Sequence, residues 1–92
     1  MHTELVEIYS DGTNVAVMKH PGRMFPGILV QGDTLYSLCQ TADRACAVSK
    51  QQLSPEQFLE LNALRNHLQS LLSHYKSALS EHDIPLPFLE TP

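Results

Sequence analysis

The sequence predicts an α+β fold, a small antiparallel sheet followed by two antiparallel helices, and three patterns predict it. Short β-branched and apolar runs broken by turn formers fill residues 4–31, the signature of strands. From residue 33 to about residue 81, apolar side chains recur in steps of three and four, the signature of helices. Residues 84–89 then set apolar side chains around two prolines, which suits an extended segment laid against the helices.

Taken in order, residues 4–9 mix acidic, β-branched and aromatic side chains, and Asp11, Gly12, Thr13 and Asn14 follow as turn formers. An apolar run resumes over residues 15–18, so the simplest reading is a hairpin. The stretch His20-Pro21-Gly22-Arg23-Met24-Phe25-Pro26-Gly27 holds two Pro-Gly steps, which forbid a regular helix or a central strand. Ile28, Leu29 and Val30 form a third short run. A lone hairpin is marginal in water, so a three-stranded meander is expected over residues 4–31.

The first helix is expected near residues 33–48, with Asp33 as its N-cap. Leu35, Leu38, Cys39, Ala42, Ala45 and Cys46 fall on one helical face, and Ser37, Gln40, Thr41 and Arg44 fall opposite and should meet water. Seven residues of helix separate the two cysteines by about 10 Å, too far for a disulfide. No C-x2-C or C-x2-H pair accompanies them, so they are expected to be buried as small apolar residues rather than to hold zinc. The second helix is announced by Ser54-Pro55-Glu56-Gln57, a serine cap with proline at the first helical position and glutamine three residues on. Its stripe runs from Phe58 to Leu79 and predicts a helix near residues 55–81. That helix is about 40 Å long against about 24 Å for the first, so its surplus stripe needs another cover. The sheet, the tail and a second copy of the chain are the candidates. Leu64, Leu68, Leu71, Leu72 and Tyr75 are the expected interface residues, and a homodimer is the expected assembly.

With 92 residues the chain suits a single domain over 1–92, too small for an elaborate catalytic cleft. Six basic against ten acidic side chains, a formal charge of −4, argue against nucleic acid as a partner. No apolar run reaches the roughly 18 residues of a membrane span, and the first residues lack the layout of a signal peptide, so no membrane partner and a cytoplasmic location are expected. His67 and His74 lie seven apart on the long helix, which is not the i, i+3 or i+4 spacing of metal ligands. No nucleophile elbow or phosphate-cradling loop can be found. A non-enzymatic protein without metal or cofactor is therefore expected. One ligand site is conceivable: His20, Arg23, Gln31 and Asp33 lie in or beside the Pro-Gly loop and the start of the first helix, where an anion or peptide would find donors.

Three stretches carry a family likeness. They are Val6-Glu7-Ile8-Tyr9, the run from His20-Pro21-Gly22-Arg23-Met24-Phe25-Pro26-Gly27 through Ile28-Leu29-Val30-Gln31-Gly32-Asp33-Thr34-Leu35, and Glu81-His82-Asp83-Ile84-Pro85-Leu86-Pro87-Phe88. Together they resemble a family of short bacterial proteins classed only as a domain of unknown function. The likeness spans almost the whole chain. It implies a bacterial, cytoplasmic, single-domain protein and brings no reaction, ligand or partner. The expected role is a protein-interaction or accessory module; the alternative is a small-ligand sensor using the loop that bears His20, Arg23, Gln31 and Asp33.

Overall fold

The computed structural model describes residues 1–12 and 15–90 and shows an α+β chain in the order β1 (Glu7–Asp11), β2 (Ala16–Lys19), β3 (Gly27–Leu29), α1 (Gly32–Ser49) and α2 (Pro55–Glu81). It divides into two compact units, Met1–Gln31 and Gly32–Pro92.

The first unit is the expected three-stranded antiparallel meander, in the order β1-β2-β3. Its pairing moves the strand limits. Asp11 pairs with Ala16, so it closes β1 rather than opening the turn, and residues 4–6 lie outside the strand. The rest of the predicted turn, at Thr13 and Asn14, lies outside the described residues. Ile8 faces Met18 while Ser10 faces Val17, which leaves Tyr9 as the extra residue of a β-bulge. Cross-strand partners share a face, so Ile8, Met18, Ala16 and Leu29 line one side, and the opposite-charge pair Glu7 and Lys19 lies on the other. The first Pro-Gly step forms a tight turn in which Arg23 N–H donates to the His20 carbonyl at 3.0 Å and Gly22 N–H donates to His20 Nδ1 at 3.0 Å.

The second unit is an antiparallel helical pair. α1 begins at Gly32, so Asp33 lies in its first turn rather than at the cap, its Oδ1 accepting the Thr34 N–H at 2.8 Å. α2 begins as the sequence requires. Ser54 Oγ accepts the Gln57 N–H at 3.2 Å, and Gln57 Oε1 accepts the Ser54 N–H at 3.1 Å. Exchanging such a cap for alanine costs about 1 kcal/mol.

The helices are held in register by side chains small enough to let them close. Cys39 Sγ donates to the Leu68 carbonyl at 3.3 Å, and Cys46 Sγ approaches the Leu61 carbonyl at 3.9 Å. A seven-residue advance on α1 is thus matched by a seven-residue retreat on α2. Both cysteines are buried and free. At the end of the seam Gly32 admits the Tyr75 ring, which any Cβ at position 32 would strike. The core is completed by Ala42 and by Leu72, only 5% exposed.

Because Gly32 stands against Tyr75, residues 76–81 of α2 run past the start of α1. The tail turns back at this overhang. Asp83 adopts a left-handed conformation (φ 55°), its N–H donates to the Ser80 carbonyl at 3.3 Å, and Ile84 N–H donates to the Leu79 carbonyl at 2.9 Å. Those two bonds make a Schellman motif, in which the left-handed residue is usually glycine. The reversed tail then stacks Phe88 on Tyr36 of α1, with ring centroids 4.2 Å apart and planes 5° from parallel, and pairs Glu90 with Lys76 of α2. The tail is therefore one cover that the surplus of the longer helix receives.

Candidate functional site

Rotation by about 100° per residue gives the helical pair two flanks on either side of its seam. On one flank Asp43 of α1 accepts hydrogen bonds from Arg65 Nε at 2.6 Å and Gln69 Nε2 at 3.1 Å, and Gln40 Nε2 donates to the Tyr36 hydroxyl at 3.0 Å. Tyr36, Gln40, Asp43 and Gln69, with Lys76 and Glu90, border a cleft of about 410 Å³. Its polar groups are turned on one another and on the tail, and no buried side-chain nitrogen or oxygen among the described residues lacks a partner.

Among the described residues the other flank carries no such network. Residues that lie about a quarter-turn from Leu72, on the side away from Gln69, are Leu64 and Leu71. Leu38 of α1 flanks its own seam residues, Cys39 and Ala42, on that same side. Leu64 is 56% exposed, Leu71 48% and Leu38 47%. These three leucines form an uncovered apolar strip, with Ala45 and Ala78 extending it. Leu38, expected to point inward, lies at the rim because the seam is centred nearer Cys39 and Cys46. Gln40, expected to meet water, is half-buried because it bonds Tyr36.

The chemistry available at the seam is limited. Burial pushes the Cys39 thiol up from its ordinary value, and the Asp43 carboxylate pushes it further the same way. A thiol so placed stays protonated near neutrality and is a poor nucleophile. Tyr9 on β1 is also raised, by desolvation first and then by Glu7, whose Oε2 accepts its hydroxyl at 3.2 Å. Among the described residues no three His, Cys, Asp or Glu side chains converge as a metal would need.

The proposed ligand residues are only partly brought together. His20 and Arg23 border a recess of about 200 Å³ with Met18, Phe25 and Ile28. Gln31 and Asp33 do not line it; Gln31 ends the first unit, and Asp33 lies exposed in the first turn of α1. Of the interface candidates, Leu72 is buried and Leu68 and Tyr75 half-buried along the seam, whereas Leu64 and Leu71 lie on the bare flank. His67 and His74 are exposed. Sequence reasoning missed the bond from Arg65 to Asp43 and the Phe88 stack, because both join residues far apart in the chain.

Residues 1–88 match the model of a family described only as of unknown function. The chain belongs to the family of unknown function DUF6959. No curated protein and no solved structure matches it. The DUF6959 match takes in the sheet, both helices and the tail as far as Phe88, so both flanks of the helical pair lie within it. No helix among the described residues is long and apolar enough to cross a membrane.

Proposed function

We propose that this DUF6959 protein is a non-enzymatic interaction module that binds another polypeptide through the bare flank of its helical pair. One observation carries the reading: on a single helix, Leu72 is buried while its neighbour Leu71 and the heptad-related Leu64 are about half exposed. Large side chains aligned along one flank mark an interaction surface more often than scattered ones do. On the polar flank, by contrast, Asp43, Arg65 and Gln69 are engaged with one another and Tyr36 is stacked against the tail. A photo-crosslinking residue introduced at His67, beside Leu64 and Leu71, is expected to join the chain to a polypeptide in cells, whereas the same residue at Ser73 on the polar side is not. Equal yields at the two positions, or none at His67, would overturn the reading.

A second reading rests on the recess beside His20 and Arg23. Among the described residues the Arg23 guanidinium has no hydrogen-bond or ion-pair partner, and a small anion with an apolar body would find both a cation and Phe25 there. The recess is smaller than the roughly 300 Å³ at which ligand pockets begin, which ranks this reading second. Titration with phosphate and small carboxylates, followed through the Arg23 and Gly22 amide signals, tests it; unmoved signals at millimolar ligand reject it.

A further inference from the structure

The bare flank has a polarity and spacing pattern that fits itself. Along α2 the residues on this side are Glu60, Leu64, His67, Leu71, His74 and Ala78, in alternating steps of four and three. Two such helices laid antiparallel, with a two-fold axis passing near His67 and Leu68, bring Leu64 of each copy against Leu71 of the other. The same register places Glu60 of each copy beside His74 of the other. A two-fold interface needs one surface complementary to itself, and here one register satisfies both the leucine pairs and the polar pairs of Glu60 with His74. Leu38 of α1 lies on the same flank, level with the middle of this span, and would add a third leucine from each copy.

We infer that the polypeptide bound by this flank is a second copy of the chain, paired through antiparallel α2 helices in a four-helix arrangement. The inference rests on the interaction reading above and names its partner. Size is consistent with it. Residues 60–78 rise about 27 Å and two adjacent helices measure roughly 20 Å across, so each copy presents on the order of 500 Å². Two copies then bury on the order of 1,000 Å², the lower bound for specific association. The tail lies on the opposite flank, on Tyr36 and Lys76, and leaves this one open. Glu60 and His74 are both exposed, so either can be exchanged without disturbing the seam.

The test is light scattering and sedimentation of the full chain from about 1 to 500 µM, with helical content followed by circular dichroism. The wild-type chain should approach twice its 10.3 kDa mass at the upper end. Leu71→Glu should raise the dissociation constant by about 100-fold or more, as loss of a central apolar anchor does. His74→Glu sets two carboxylates against each other and should raise it by roughly 3- to 10-fold, and adding Glu60→Lys should restore it. A wild-type mass that stays at 10.3 kDa across the range overturns the inference, as does a dimer indifferent to both Leu71→Glu and the charge exchange. A monomer in solution whose His67 crosslinks to a different polypeptide in cells overturns self-pairing and leaves the interaction reading standing. A monomer with no crosslink at His67 removes both.

Discussion

The two flanks of the helical pair start from the same two helices and end differently. One carries Asp43, Arg65 and Gln69 and is joined by a tail that folds back to stack Phe88 on Tyr36. The other carries Leu38, Leu64 and Leu71, which stay about half exposed among the described residues. The difference lies in where the chain reverses. The Schellman turn at Asp83 sends residues 84–90 toward one flank and so fixes which side is closed from within. On the reading proposed above, a side chain on the closed flank or in the seam serves folding, and one on the open flank serves association.

The sharpest way to break this contrast is to truncate two adjacent leucines. Leu72→Ala, in the seam, should cost about 2–4 kcal/mol in urea unfolding of the dilute chain. Leu71→Ala, one position along but on the open flank, should cost under about 1 kcal/mol under the same conditions. Equal losses would mean that the two positions share one environment. On the closed flank, Phe88→Ala should cost about 1–2 kcal/mol and speed amide hydrogen exchange at Ile84 and Leu86 without changing exchange at Leu61. Asp83→Gly should stabilise by about 0.5–1 kcal/mol, since glycine takes the left-handed conformation without steric penalty. Differential scanning calorimetry would read it as a higher Tm.

The smallest effect belongs to Cys39. Its thiol pKa is raised in the folded chain, so between the ordinary value and the raised one the unfolded chain gives up a proton that the folded chain keeps. The stability from the buried neutral thiol is present in full below about pH 8.5 and declines as the pH rises through the folded value. Unfolding curves at pH 7.5 and 9.5 should show that decline, and Cys39→Ala should reduce it. Alkylation of Cys39 at pH 8 should be limited by unfolding, so its rate should rise with urea in step with the unfolding transition.

Much of this architecture is legible in the residues because its signals are local. The capping box at Ser54 and Gln57 marks the start of α2, and the steps of three and four carry it to Glu81. The hairpin register is less legible. The bulge at Tyr9 and the pairing of Asp11 with Ala16 depend on how the strands meet, which neighbouring residues do not encode. The stripe on α2 is wide enough to serve two surfaces, and periodicity alone does not divide Leu72 from Leu71. That division needs the rotational setting of α1, which Gly32 against Tyr75 and the two cysteines against α2 carbonyls establish. The loop with His20, Arg23, Gln31 and Asp33 was dense in special residues, yet only His20 and Arg23 border one recess.

The division of the leucines between seam and proposed interface is tested most directly by methyl NMR with a soluble paramagnetic probe. The methyls of Leu64, Leu71 and Leu72 would be compared at about 10 µM and about 500 µM chain. The account predicts that Leu72 is shielded at both concentrations, while Leu64 and Leu71 are open when dilute and become shielded when concentrated. Leu64 and Leu71 methyls as open at the higher concentration as at the lower, or as shielded as Leu72 throughout, would contradict it.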